Sequence, residues 1–141
     1  MPLTYTYLNS PVRINFLLSR GDLPAMRLHS TFYRTVYFTD DQGTAIDLTG
    51  WSAVTTIRGS YDDPIILELT TENGGMILGT DGKVQWYATN EQTGALVITP
   101  DKPNRFPRSQ RCIYDTKLEA PDGMKLTFAE GNIDIVDSVT R

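Results

Sequence analysis

Catalysis needs reactive side chains brought together in pairs, and this sequence supplies few candidates. It contains one histidine, His29, and one cysteine, Cys112. Hydrolysis or group transfer needs a nucleophile beside a base, or two carboxylates facing each other in a cleft. His29 lies in Leu28-His29-Ser30 just ahead of a strand-like run, with no identifiable partner, and is expected at a surface or a strand edge. Cys112 sits in the alternating stretch Arg111-Cys112-Ile113-Tyr114-Asp115. That pattern predicts a thiol buried on one face of a strand, with a reactive thiol as the alternative. A Cys/His zinc site would need three or four such ligands at short spacing. Asp40-Asp41 and Asp62-Asp63 lack the spacing that wraps oxygens around calcium. There is no G-x-G-x-x-G or phosphate-binding loop. The expectation is no catalytic residue, no metal site and no cofactor.

Two further groups carry recognition chemistry in principle. Arg20-Gly21-Asp22 spells the tripeptide that integrins bind on exposed loops, and it reads here as a polar turn between strands. Trp86 and Tyr87 are adjacent, so on a strand they face opposite ways. One belongs to the core. The other is free to meet a protein neighbour or to stack on a sugar.

The elements that must position these residues are strands. Apolar residues do not recur at helical spacing over any long window. Short runs rich in β-branched and aromatic residues alternate with turn signals instead. The runs are Pro11–Leu18, Thr31–Phe38, Ser52–Arg58, Ile65–Leu69, Met76–Leu78, Lys83–Ala88, Arg111–Glu119, Lys125–Ala129 and Gly131–Val136. Alternation places Ala53, Thr55 and Ile57 on one face, and Cys112, Tyr114, Thr116 and Leu118 on one face. Asp81-Gly82 predicts a type I′ hairpin between Met76–Leu78 and Val84–Tyr87. Asn90–Leu96 is the one helical candidate, capped by Asn90 and interrupted by Gly94. Seven to nine short strands at this spacing argue for an antiparallel sandwich or barrel. The expected core is Trp51, Ile57, Leu67, Leu69, Tyr114, Leu118, Ile133 and Ile135.

Composition bounds the rest. The chain has 141 residues, the size of one domain. Thirteen Lys and Arg against seventeen Asp and Glu give a net charge of -4, which disfavours nucleic acid as a partner. No apolar run is long enough to span a membrane, and Met1–Tyr5 lacks the marks of a signal peptide. One cysteine permits no intrachain disulfide and fits folding in a reducing cytosol.

Residues 1–10 hold Tyr5, Tyr7 and Leu8 with no evident turn to fold them back. They read either as a first strand or as an extended arm, with residues 11–141 forming one sandwich domain. Residues 99–110 contain three prolines and three basic residues. Proline removes ladder donors, so this segment must be an exposed loop, with Phe106 as an anchor flanked by Lys102, Arg105 and Arg108. Tyr5, Tyr7, Leu8, Lys102, Arg105, Phe106 and Arg108 are the expected contact residues.

A series of motifs, in order, resembles a small module of tailed-phage virions. It runs through Gly43-Thr44-Ala45-Ile46-Asp47-Leu48-Thr49-Gly50-Trp51, a strand ending Ile57-Arg58, Leu67–Gly75, and Thr89-Asn90-Glu91-Gln92-Thr93-Gly94-Ala95-Leu96. It closes on Tyr114–Gly123 and on Gly131–Arg141. The module is similar to the N-terminal domain of phage upper baseplate proteins. The resemblance covers about residues 12–141 and implies an all-β, immunoglobulin-like antiparallel β-sandwich; the arm or first strand at residues 1–10 and the 99–110 loop are not part of its pattern. It implies a non-enzymatic structural subunit of a virion, in the tail, baseplate or fibre-attachment region. Its partners would be other virion proteins, in several copies per particle, with neither membrane nor nucleic acid. The protein would be made in the cytoplasm of the bacterial host. Because the sequence ends at Arg141, a stand-alone module is expected. A head decoration or head-fibre anchor fits the same features. A carbohydrate-binding module for host attachment would need Trp86 or Tyr87 beside Tyr61 and nearby carboxylates.

Overall fold

Period-two alternation of apolar residues can be satisfied only by extended chain that buries one face, and two such faces must cover each other. The computed structural model describes residues 2–7, 10–15, 22–40, 42–102 and 108–137, the first two stretches as backbone alone. The strands are β1 (Pro2–Tyr7), β2 (Ser10–Asn15), β3 (Met26–Arg27), β4 (Phe32–Tyr37), β5 (Ser52–Arg58), β6 (Ile65–Thr70), β7 (Met76–Leu78), β8 (Lys83–Ala88), β9 (Ser109–Glu119) and β10 (Lys125–Val136). One helical turn, α1 (Asn90–Gly94), joins β8 to the segment before β9. Three sheets result: β3-β10-β9-β5-β6, β4-β8-β7, and β1-β2 alone. The five-stranded and three-stranded sheets bury their inner faces in one core.

The expected faces are realised. Ala53, Thr55 and Ile57 on β5 are buried, as are Cys112, Tyr114, Thr116 and Leu118 on β9. Of the expected core, Leu67 alone is only half-buried, because β6 is the sheet edge and its register shifts between Ile57 and Arg58. One pairing is parallel: β3 lies along β10, with Met26 opposite Ile135.

Two expected strands, Lys125–Ala129 and Gly131–Val136, are one. β10 pairs with β9 along its whole length, with a bulge between Thr127 and Ala129. The extra residue lets Phe128 and Ala129 both point inward and resets parity, so Ile133 and Ile135 stay in the core. The helical turn is capped by Thr89 rather than Asn90. The Thr89 hydroxyl accepts from Gln92 N at 3.1 Å, and Gln92 Oε1 accepts from Thr89 N at 2.8 Å. That reciprocal box satisfies two end donors, more than a lone Asn90 would.

The Asp81-Gly82 hairpin forms, but not with a type I′ turn. Gly82 has φ of 83°, while no other residue of that loop has positive φ. Gly79 N donates to Lys83 O at 2.9 Å, and Gly82 N to Gly79 O at 3.3 Å. This is a three-residue loop, a type I turn closed by a left-handed glycine. Gly82 has no substitute here, since a Cβ would lie 2.5 Å from Phe38 O.

Residues 2–7 form a first strand, one of the two expected readings, and fold back on the next segment although the sequence shows no evident turn there. β1 pairs antiparallel with β2, from Pro2 opposite Asn15 to Tyr7 opposite Ser10. Two residues separate the strands, the commonest hairpin spacing. The hairpin crosses the boundary drawn at residue 10.

A hydrogen-bonded clasp joins the sandwich sheets. Trp86 Nε1 on β8 donates to Thr55 Oγ1 at 2.8 Å and to Thr116 Oγ1 at 2.9 Å. The two threonines face each other across β5 and β9, with oxygens 2.6 Å apart. Thr55 donates on to Met76 Sδ at 3.2 Å, which leaves Thr116 as the donor to Thr55. All four residues are buried. Trp86→Phe should lower stability by about 1–3 kcal/mol in urea melts, because it strips the hydroxyls of their donor. Adding Thr55→Val and Thr116→Val should then cost less than each does alone. Additive losses would mean that the clasp is not a unit.

Candidate functional site

Inner-face positions make the core, so function must sit on the outer faces, the edges and the loops. The two outer faces are unlike. On the five-stranded sheet, charges alternate in sign along and across the strands. Arg111 lies 3.3 Å from Asp22 and 3.8 Å from Asp134. Lys117 lies 4.0 Å from Asp115 and donates to Thr127 Oγ1 at 3.4 Å. Arg58 donates to Asp63 O at 3.1 Å. A shallow groove of about 800 Å³ crosses this face, with Thr56, Arg58, Asp115 and Glu130 in its lining and Tyr61 beside them. Exposed pairs of this kind contribute about 0–1 kcal/mol each and keep a surface solvated.

The outer face of the three-stranded sheet carries one charge, Lys83, among Tyr33, Thr35, Tyr37, Ile77, Gln85 and Tyr87. Tyr33 is opposite Tyr87, Thr35 opposite Gln85, and Ile77 flanks Gln85 from β7. Tyr33 is 66% exposed and Tyr37 58%. Tyrosines without compensating charge mark protein-contact surfaces more often than solvated ones.

The edge beside this face is open. Phe38 N donates to Gly82 O at 2.8 Å, and Tyr87 N donates to Gly75 O at 2.9 Å. Antiparallel parity then turns the backbone groups of Phe32, Arg34 and Val36 toward β8. Those of Tyr33, Thr35 and Tyr37 point away from it. Among the described residues no strand pairs with that edge.

The expected contact residues are only partly placed. Tyr5 and Tyr7 lie in β1, while Leu8, Arg105 and Phe106 lie outside the described residues. Lys102 and Arg108 are exposed at the neck of the 99–110 loop. The neck is fixed by Asp101, whose N donates to Ser109 O at 2.8 Å and whose carboxylate accepts from Arg111 N at 2.8 Å. Arg108 is turned to Asp137 at 3.8 Å. Arg20 and Gly21 also lie outside the described residues. Asp22 accepts from Asn132 N at 3.1 Å, which ties it to β10.

No platform joins Tyr61 to Trp86 or Tyr87. Trp86 is core, Tyr87 is on the three-stranded sheet, and Tyr61 follows β5 of the other sheet. The sequence expectations assign no faces to Thr31–Phe38 or Met76–Leu78, and so single out none of Tyr33, Tyr37 and Ile77. The signal was the row Tyr33, Thr35, Tyr37 opposed to Phe32, Val36, Phe38.

His29 is exposed, with φ of 65°. It packs so close to Gly94 that a Cβ there would lie 2.6 Å from Nδ1. Among the described residues no group of three or more His, Cys, Asp or Glu is placed to hold a metal ion. No helix of the described residues is long and apolar enough to cross a membrane.

Strand order defines the class. A β4-β8-β7 sheet facing β10-β9-β5-β6 is the order in which immunoglobulin domains lay strands B, E and D against G, F, C and C′. The chain is an immunoglobulin-like β-sandwich. No protein-family model and no curated protein matches it. Among solved structures it is similar to murine CRIg, at 10% identity over 98% of each chain and a TM-score of 0.36.

Burial pushes the Cys112 thiol up to about 11, with Asp101, Asp134 and Asp63 adding to it. Burial likewise pushes the Tyr114 hydroxyl up to about 12, helped by Asp22 and Glu130. Both groups hold their protons more tightly folded than unfolded, so their contribution is complete at neutral pH and is lost as pH rises. Stability should fall from about pH 9 through pH 12. Cys112→Ala should remove the part of that fall that begins near pH 9 and leave the Tyr114 part, between about pH 10 and 12. Native Cys112 should resist alkylation at neutral pH and react on unfolding. Rapid labelling of folded protein would contradict the buried thiolate cost.

Proposed function

We propose that this chain is a non-enzymatic structural subunit of a tailed-phage particle, acting in the tail, baseplate or fibre-attachment region through protein–protein contacts. The observation that carries the contact role is the difference between its two outer faces. One is a solvated ladder of ion pairs. The other is a tyrosine row with a single charge, Lys83, beside an open strand edge, which water alone does not favour. The motif series from Gly43 to Val136 supports the particle assignment, and its turns have structural reasons. Asp47 accepts from both Thr49 N at 2.9 Å and Thr49 Oγ1 at 2.6 Å, while Leu48 and Trp51 close one end of the core.

The reading is tested by purifying particles, separating heads from tails, and locating this chain by mass spectrometry. Its expected place is the tail fraction, and recovery with heads alone would assign it to head decoration instead. Tyr33→Lys with Tyr37→Lys should leave the melting temperature within a few degrees and abolish incorporation. Absence of the wild-type chain from particles overturns the proposal. Binding on a glycan array that is lost in the tyrosine variant would move the face to carbohydrate recognition.

A further inference from the structure

We propose that the open edge of β4 receives β1 of a second copy of this chain, so that the β1–β2 hairpin of one subunit extends the three-stranded sheet of another. This deepens the contact role proposed above and rests on it for its place in a particle.

Three observations converge. The first is the edge itself. Tyr33, Thr35 and Tyr37 direct their N–H and C=O groups away from β8, and among the described residues they meet no strand. The second is the hairpin. Among the described residues β1 and β2 pair only with each other, and a two-stranded sheet is at best marginally stable in water. Such a hairpin becomes firm when a third strand joins it. The third is the match between the two. β1 and β4 are both six residues long. β1 runs Leu3-Thr4-Tyr5-Thr6-Tyr7 with no proline after its first residue, so its outer edge offers an uninterrupted set of donors, whereas β2 has Pro11 within it. β1 is also rich in Thr and Tyr, which suit a pleated surface.

Arg34 argues for this occupant over pairing of two β4 edges. It falls on the inward parity with Phe32 and Val36, yet it is exposed. An inward-pointing charge on an edge strand discourages indiscriminate strand addition. Two β4 edges would bring two Arg34 side chains to one seam, whereas β1 carries no charge. The product is a sheet ordered β2-β1-β4-β8-β7, held by main-chain hydrogen bonds as in strand addition generally. Reciprocal exchange closes a dimer. Exchange passed onward makes a longer assembly.

Parity supplies a sharp test with pure protein in solution, independent of any particle. The Thr35 N–H faces the open edge, so Thr35→Pro removes no bond to β8 and should leave the circular dichroism and melting temperature intact. The full chain should run on size exclusion with light scattering at twice the mass of one chain or more. Thr35→Pro should run at the mass of one chain. A variant lacking residues 1–15 should also be a single chain, and should bind a synthetic peptide of residues 2–15. A full chain that is monomeric at every concentration overturns the proposal. So does an associated Thr35→Pro variant, which would place the contact elsewhere. Should Thr35→Pro unfold, failure of the truncated chain to bind the peptide overturns it equally. Monomeric full chain with slow amide exchange at Thr35, made fast by deleting residues 1–15, would seat the hairpin on its own edge and reject the second copy. If association occurs as stated while the chain is missing from particles, this inference stands and the particle assignment falls.

Discussion

One indole N–H sets the centre of this sandwich. Trp86 is the largest of the fully buried side chains, and its ring is flanked by Phe128. Its nitrogen must still find an acceptor, because a buried donor without one costs about 1–3 kcal/mol. The acceptors come from the facing sheet, one from β5 and one from β9. The donor therefore fixes how the two sheets lie over each other as well as that they pack. Thr55 and Thr116 must sit opposite each other for both to be reached, which pins the β5–β9 register. A slip of one residue would bury Thr56 or Asp115 in their place. Around this point the packing is apolar and aromatic. Phe38 meets Trp51 and Phe128 edge to face, with ring centres 6.1 and 5.1 Å apart.

The same register decides what the outer faces show. With β5 and β9 fixed, Thr56, Arg58, Asp115 and Lys117 must face out on the five-stranded sheet, and their alternating charges neutralise one another locally. With Trp86 fixed inward, Gln85 and Tyr87 must face out on β8, and pairing brings Thr35 and Tyr33 beside them. The solvated face and the tyrosine face are thus two consequences of one buried interaction. The bulge at Phe128 belongs to the same arrangement. It bends β10 and keeps Ile133 and Ile135 under the clasp, and the sheet it bends carries the shallow groove.

Most strands were legible in the sequence, because period-two alternation and turn residues are local signals. Ser52–Arg58 and Met76–Leu78 have the predicted bounds. What failed was less local. β10 looked like two strands because a bulge shifts the parity in mid-strand, and only pairing with β9 shows that the strand continues. β3 is two residues long and is a strand only because β10 lies beside it. The clasp could not be read either: parity groups Thr55 with Ile57 and Thr116 with Leu118 but leaves open whether Trp86 or Tyr87 faces the core, and the convergence of the three side chains needs two sheets. The tyrosine face was the least legible. In Thr31–Phe38 one parity is Tyr33, Thr35 and Tyr37 and the other Phe32, Arg34 and Val36; tyrosine suits either side and Arg34 interrupts the apolar row, so the local signal is a weak one.

A sandwich that offers an edge must not need that edge for its own folding. Among the described residues the buried core runs from Leu23 to Val136. Leu23 N donates to Asn132 O at 3.0 Å, Leu28 N to Val136 O at 2.9 Å, and Met26 is fully buried. From Leu23 onward the chain is therefore committed to β10, and β3 covers one side of the core. The turn after β3 is tied to the far end of the sheet pair by Thr93, whose hydroxyl donates to Ser30 O at 2.8 Å. The side on which β4 runs is then bordered by Arg34, which reaches solvent from an inward position. That charge protects the unoccupied edge from chance addition, at some expense in burial. β3 covers the core beside β10, while the open edge belongs to β4 in the other sheet, so the two tasks fall to different strands.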